Sequence, residues 1–304
     1  MTKSLLRHGI SILPDLPWRE AEPRWRAVEE MGFAHAWVYD HLVWGGLPDA
    51  TWFPAVPTLA AAAGVTSRIG LGTFVTSPNF RHPYVFARDV LALDDLSGGR
   101  VICGLGTGGD LDSAILGESH TVKERVDRFH EYVPLLDRLL REDHVDHEGE
   151  WYAVRDARTL PGPVRDRVPF VVAANGPRSL RLAAKYGDGW VTTGPSVESL
   201  DEWWARVGEL AERFSALEDS AGKARYLLLD ASPQFSLSSV GVYEEMTGRA
   251  AELGFTDTIT HWPRSSEPYA GSEATLEEVA ARFGTGGGAG GDVASDGAGA
   301  SPSS

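Results

Sequence analysis

An α/β fold in the form of a single TIM-type (β/α)8 barrel with insertions is predicted for this chain from three observations. Strand-like and helix-like segments alternate from start to finish, the pattern of a parallel sheet covered by helices. Eight βα units can be traced in that alternation, which favours a closed barrel over an open doubly wound sheet. A length of 304 residues suits one such barrel, and a hydrophobic content of 42% is enough for its large core.

The first strand is expected near Gly9 to Leu13, with a helix from about Glu20 to Met31 behind it. The second strand is Ala36 to Tyr39, and the Ala-rich helix Pro57 to Val65 leads to the third, Ile69 to Val75. A helix from Pro83 to Leu96 then returns the chain to the fourth strand, Val101 to Leu105. The next helix repeats Val122, Val126, Phe129, Val133, Leu136 and Leu140 at spacings of three and four, one buried stripe. Strands five to eight fall at Phe170 to Ala173, Gly189 to Thr192, Tyr226 to Leu229 and Thr258 to Thr260. Helices beginning near Ser179, Ser199, Ser239 and Thr275 follow these four in turn. The segment His144 to Val164 breaks the alternation, and its centre from Asp146 to Tyr152 reads as a short hairpin insertion. From Gly284 the chain is Gly, Ala, Ser and Asp without apolar periodicity. Such a segment buries too little surface to offset its ordering entropy. The expected organisation is therefore a barrel over residues 1–283 and a disordered tail over 284–304.

Composition narrows the function. A net charge of -15 disfavours nucleic acid and anionic membranes as partners, since both reward a basic surface. A single cysteine, Cys103, excludes an intramolecular disulfide and any cysteine-rich metal site. No apolar run is long enough to cross a bilayer and the N-terminus lacks a signal-peptide core, so a cytoplasmic protein is expected.

A barrel of this kind places its chemistry on the loops that follow the strands. Functional residue types gather there: Asp40, His41 and Trp44 after strand two, Phe74 to Ser77 after strand three, Gly106 to Asp110 after strand four. Asn175 to Arg178 follow strand five, Thr193 and Gly194 strand six, Asp230 and Ser232 strand seven, His261 to Pro263 strand eight. Seven loops converging on one rim suit an elongated ligand with polar groups along its length. Gly106 and Gly108 let backbone approach a ligand, although glycine also serves ordinary tight turns. Gly176 to Ser179 can bind an anion, because a Gly-containing loop opens a helix whose first amides lack partners, and Arg178 adds charge. The bland alternative is a serine N-cap at Ser179. Cys103 reads as core packing, Asp188 as a turn residue, and Glu29, Glu30, Glu244 and Glu245 as exposed helix faces. His144 and His147 resemble a metal cluster on paper; their place in the insertion favours solvated hairpin residues, and no metal site is expected.

Ile69 to Pro78, then Gly98 to Gly109, together with Asp40-His41-Leu42, Ala173 to Leu180, Tyr186 to Trp190 and His261-Trp262-Pro263, resemble the luciferase-like family of flavin- and deazaflavin-dependent oxidoreductases. The Asp40-His41 pair is similar to that of the branch using coenzyme F420, a deazaflavin. The resemblance covers roughly Arg7 to Phe283. It implies a bacterial-luciferase-like TIM barrel, usually a homodimer, with the cofactor ring at the C-terminal mouth. Carried over, Asp40, Phe74, Val75, Thr76 and the Gly106-Thr107-Gly108 turn would hold the ring region. Asn175, Gly176, Arg178, Ser179 and Thr193 would lie toward the phosphate-bearing tail. His41 would be the proton donor or acceptor, with Asp40 orienting it or the ring, and Trp44, Asp110 and His261 would line the substrate side. Relatives using F420 carry a non-proline cis peptide that aligns with Phe74-Val75. Two departures matter. Some relatives have a glutamate where this chain has Gly109, so its proton-transfer role does not carry over unless Asp110 substitutes. A relative using glucose 6-phosphate has a lysine at the position of Ser196, which disfavours sugar-phosphate oxidation.

The reading is an F420-dependent oxidoreductase that moves a hydride between the deazaflavin and a small organic substrate. The alternatives are an FMN-dependent luciferase-like monooxygenase, since the same pocket suits either ring, and a cofactor-binding protein without catalysis. The Ala-rich helix and the one from Pro83 are the expected homodimer surface.

Overall fold

The structure, a computed structural model, describes residues 6–283, so the expected tail lies outside the described residues. Eight parallel strands close into a barrel. They are β1 (Arg7–Ser11), β2 (His35–Val38), β3 (Gly70–Thr73), β4 (Val101–Leu105), β7 (Phe170–Ala173), β8 (Gly189–Thr192), β9 (Ala224–Leu228) and β10 (Asp257–His261). Strand β10 pairs with β1, with Ser11 opposite His261, which removes any open sheet edge. The two remaining strands, β5 (Val145–Glu148) and β6 (Ala153–Ala157), form the antiparallel hairpin expected as an insertion.

The helices form the outer layer: α1 (Trp18–Glu30), α2 (Ala55–Ala63), α3 (Pro83–Ser97), α4 (Leu111–Ile115), α5 (Val122–Leu139), α6 (Pro177–Tyr186), α7 (Leu200–Ser215), α8 (Val240–Glu252) and α9 (Glu273–Phe283). Their starts follow local chemistry. Thr121 and Glu124 make a reciprocal capping box at α5, and the hydroxyls of Ser199 and Ser239 cap α7 and α8. Ser179 is not a cap. Gly176 occupies that position at α6 with no side-chain bond, and Pro177 opens the helix where its missing N–H is not needed.

The barrel interior is filled by large rings. Trp37, Phe74 and Tyr226 meet edge to face, and Leu13, Val171, Leu228 and Ile259 complete that cluster. Its lower end is polar. Asp257, fully buried, accepts from Arg7 at 2.9 Å and from His35 Nε2 at 2.9 Å, while Trp37 Nε1 donates to His35 Nδ1 at 2.6 Å. Burial opposes the charge on Asp257, but the His35 bond and the Arg7 charge outweigh it and hold the carboxyl below its usual range.

Two expectations about isolated charges are corrected. Glu29 is not merely an exposed helix face: its carboxylate accepts from the amides of Ser67, Arg68 and Ile69 and from the Ser67 hydroxyl, tying α1 to the start of β3. Burial raises its pKa, yet those amide bonds prevail and bring it down to about 2. In the insertion, His147 is not simply solvated but faces Glu131 of α5 at 3.0 Å. Glu131 also accepts from the amides of Glu150, Trp151 and Tyr152, so it pins the hairpin to α5. His144 pairs with Asp156. Cys103 is buried, and burial pushes its thiol pKa up, in keeping with core packing. No helix among the described residues is long and apolar enough to cross a membrane.

Candidate active site

The ends of β2, β3 and β4 build one side of the barrel mouth. The peptide Phe74-Val75 is cis, at the position the resemblance implies. Past it, Thr76 N donates to Gly104 O and Gly106 N donates to Thr76 O, so the β3 loop and the β4 exit run side by side. A Cβ on Gly106 would sit 2.6 Å from Val75 and 3.4 Å from Ala173. Neighbouring protein alone therefore leaves no room for a side chain there. Gly108 has φ +67°, and a Cβ there would strike Asn79 at 2.5 Å and Ser77 at 2.6 Å. Ser77 Oγ and Asn79 Oδ1 are buried beside this turn without a partner among the described residues. Thr107, half-buried on the same turn, makes no hydrogen bond among the described residues.

Asp40 is 1% exposed and its carboxylate is fully engaged. Arg81 donates to both oxygens at 2.7 Å, and Thr76 Oγ1 donates to Oδ2 at 2.7 Å. Burial opposes the Arg81 charge, but the bonds to Asp40 exceed it and hold the guanidinium above its ordinary pKa. Asp40 thus locks the β2 exit to the β3 loop and does not orient His41. That task falls to Asp112, which sequence reading missed. Asp112 Oδ2 lies 2.8 Å from His41 Nδ1, and Oδ1 accepts from Leu42 N at 2.7 Å. A carboxylate only accepts, so Nδ1 carries the proton and Nε2 presents its lone pair. The His41 side chain is 25% exposed at the mouth, whereas Asp112 is 1% exposed. Asp110 is exposed at the start of α4 and makes no cap bond.

His261 departs from expectation more sharply. Its side chain is fully buried, with Nδ1 3.0 Å from Asp230 Oδ2 and Nε2 2.9 Å from Tyr39 Oη. Tyr269 lies flat on the ring, centroids 3.6 Å apart. Both nitrogens are engaged and one face is covered, so His261 is built into the wall. Tyr39 is held neutral by burial, with Tyr269 and Asp230 adding to the effect, well above the ordinary phenol pKa. Trp44, half-buried, meets Tyr39 edge-on at 5.2 Å and stacks with Tyr269 at 6.2 Å.

The tail-side residues come together around the start of α6. Asn175 accepts from Thr192 Oγ1 at 2.6 Å and donates to Gly194 O at 3.2 Å, so it fixes two loops to each other. Thr193 Oγ1 donates to Gly194 O at 3.0 Å. A Cβ on Gly176 would meet nothing within 4 Å, and the amides of Arg178 and Ser179 belong to the first turn of α6. Arg178 pairs with Asp127 at 2.7 Å, its side chain 44% exposed.

The luciferase-like monooxygenase family profile matches residues 3–229. An F420-dependent glucose-6-phosphate dehydrogenase of Intrasporangium calvum is 32% identical over 266 residues, covering 79% of this chain and 79% of that one. An F420-dependent hydroxymycolic acid dehydrogenase of Mycobacterium tuberculosis is 31% identical over 266 residues, covering 86% of this chain and 70% of that one. The chain spans about half the length of other curated relatives it matches. Among solved structures, an F420-dependent secondary alcohol dehydrogenase in complex with an F420-acetone adduct shares the fold. It superposes with a TM-score of 0.73 at 19% identity, covering 90% of this chain and 98% of that one. The barrel, the mouth built on the ends of β2 to β4, and the profile match together place this chain in the luciferase-like monooxygenase family.

Proposed function

We propose that the chain is an F420-dependent oxidoreductase in which His41 moves the proton that accompanies hydride transfer to or from a small organic substrate. The observation that carries this reading is the buried Asp112 behind His41, which holds Nδ1 and leaves Nε2 without a partner among the described residues. The residues fit the cofactor. Two buried polar atoms without partners among the described residues, Ser77 Oγ and Asn79 Oδ1, stand at the Gly106–Gly108 turn, and a Cβ on Gly176 just before α6 would meet nothing within 4 Å. Phe74, Val75, Thr107 and Gly108 would hold the ring region. Gly176, Arg178, Ser179 and Thr193 would hold the phosphate-bearing tail, where a helix N-terminus favours an anion. Bound deazaflavin supplies or accepts a hydride and reacts poorly with oxygen, so the protein's task is positioning and proton handling.

The chain's own groups account for that handling. Asp112 fixes the His41 tautomer and favours the imidazolium that forms when Nε2 takes a proton, the arrangement by which a carboxylate supports a histidine base. Asp40, Arg81 and Thr76 keep the β2 exit rigid, so that His41 stays aligned. The rings of Tyr39, Trp44 and Tyr269 pack against one another on the other side. Equilibrium titration with F420, FMN and FAD tests the cofactor: F420 should bind at micromolar concentration or tighter. FMN binding without F420 binding overturns the assignment.

The homodimer belongs to the same proposal. On α3, Val85 and Leu96 are 61% and 60% exposed, beside the Ala-rich α2, a small-residue surface that admits close helix packing. Sedimentation velocity should show a dimer, and a monomer at micromolar concentration rejects it.

A further inference from the structure

We propose that a second binding pocket, separate from the barrel mouth, takes a small uncharged ring-sized molecule with one hydrogen-bond acceptor, held by the indole N–H of Trp25. The pocket lies between α1, α2 and the exit of β1 and has a volume of about 150 Å³. Ile12, Leu13 and Pro14 bring the β1 exit to it, Trp18 and Trp25 bring α1, and Phe53 stands just before α2. None of His41, Trp44, Gly106 or Gly176 lines it. It stands whether or not F420 is the cofactor.

The pocket holds a buried donor that its own walls leave unanswered. Trp25 is 0% exposed, yet its Nε1 has no partner among the described residues. Buried polar groups of folded chains are nearly always bonded, so such an atom points to an acceptor from outside the chain. Apart from the two indoles, Thr58 is the only lining residue with a polar side-chain atom, and its hydroxyl donates to Pro54 O at 2.9 Å. Pro14 O already accepts from Phe53 N at 2.8 Å. Water answers the indole poorly, because an ordered buried water needs about two to four polar partners. A dry apolar cavity of about 150 Å³ instead takes up a benzene-sized molecule. Ala21 and Ala61 line it from α1 and α2, where larger side chains would fill the space. No lining side chain is ionisable, so nothing there would neutralise a charged ligand. A ring bearing one carbonyl meets both demands: its body fills the apolar volume and its oxygen accepts from Nε1.

One wall of the pocket belongs to the loop that carries His41. Phe53, 37% exposed, is tied to the β1 exit through its backbone bond to Pro14. The neighbouring Trp52 donates through Nε1 to His41 O at 3.1 Å. An occupant therefore rests against a segment fixed both to β1 and to the loop of His41.

The test titrates cyclohexanone, with benzene as the ring lacking a carbonyl, into the full chain without cofactor. The chain has 10 tryptophans, and nitrogen-15 labelling of their indoles gives one resonance each. Trp25→Phe and Trp44→Phe assign the two that matter. Cyclohexanone should move the Trp25 indole proton downfield and saturably, with a Kd of about 1 mM or lower, while Trp44 at the mouth stays in place. Ligand-induced rises in Tm compare the variants. Trp25→Phe should weaken cyclohexanone about 5-fold more than benzene, the scale of one neutral hydrogen bond. Ala61→Leu fills the space with a good helix former and should abolish binding of both rings without lowering Tm. A Trp25 resonance that does not respond overturns the proposal, as does a response at Trp44 in its place. Equal losses for the two rings in Trp25→Phe remove the indole as the anchor. If Trp25→Phe does not fold, the Trp25 response of the parent and its persistence or loss in Ala61→Leu decide the matter.

Discussion

His41→Asn is expected to lower kcat about 100-fold or more while F420 affinity changes less than about 2-fold, the usual scale for losing one acid–base group. Asparagine keeps a polar side chain beside Asp112, 2.8 Å from His41 Nδ1 in the parent chain, and removes the group that takes up a proton at Nε2. The loss should fall on kcat, because Nε2 serves the transition state and not cofactor binding. Asp112→Asn should produce a smaller loss in the same direction. An amide still accepts from Nδ1–H but brings no negative charge to favour the imidazolium, and it fixes the tautomer less firmly. Steady-state kinetics of both variants, beside an equilibrium F420 titration, checks the pair. Unchanged turnover in His41→Asn removes His41 from the chemistry.

The fold was legible because barrels repeat one local instruction. Val101–Leu105, Phe170–Ala173 and Gly189–Thr192 are short apolar runs bounded by turn residues, and their limits in the structure match those read from sequence. Ser199 and Ser239 act through neighbours within three residues, so they too were readable. Asp112 was not. It lies on a helix of five residues, too short for periodicity, and its partner is 71 positions away. Asp110 stands nearer the Gly-Thr-Gly turn and looked the better candidate, yet it points to solvent. Asp40 was readable as important but not for its role, since the arginine that claims it comes 41 positions later. His261 was readable as a residue of the β10 exit but not for its partners. Only the barrel's closure brings Tyr39, 222 positions away, against its second nitrogen.

Arg81→Met is expected to destabilise the chain by about 3–5 kcal/mol, which for a domain of this size lowers Tm by roughly 5–9 °C. The reason is what it leaves behind. Asp40 is 1% exposed, and without Arg81 its carboxylate keeps a single bond, from the Thr76 hydroxyl. A buried charge stripped of its partner costs more than the pair contributed, because the desolvation remains after the attraction is gone. The double variant Asp40→Asn with Arg81→Met should consequently be more stable than Arg81→Met alone. It removes the charge together with its partner and leaves an amide that the Thr76 hydroxyl still bonds. Arg81→Lys should fall between, since one ammonium cannot reproduce the two-point contact to Oδ1 and Oδ2. Denaturant unfolding of the parent, Arg81→Met, Asp40→Asn and the double variant gives the coupling energy of the cycle, with Arg81→Lys measured beside them. A loss below about 1 kcal/mol in Arg81→Met would mean that water reaches Asp40 and that the pair behaves as a surface ion pair. The β2 exit would then owe its rigidity to the Thr76 and Phe74 backbone bonds instead, and the alignment of His41 would no longer depend on Asp40.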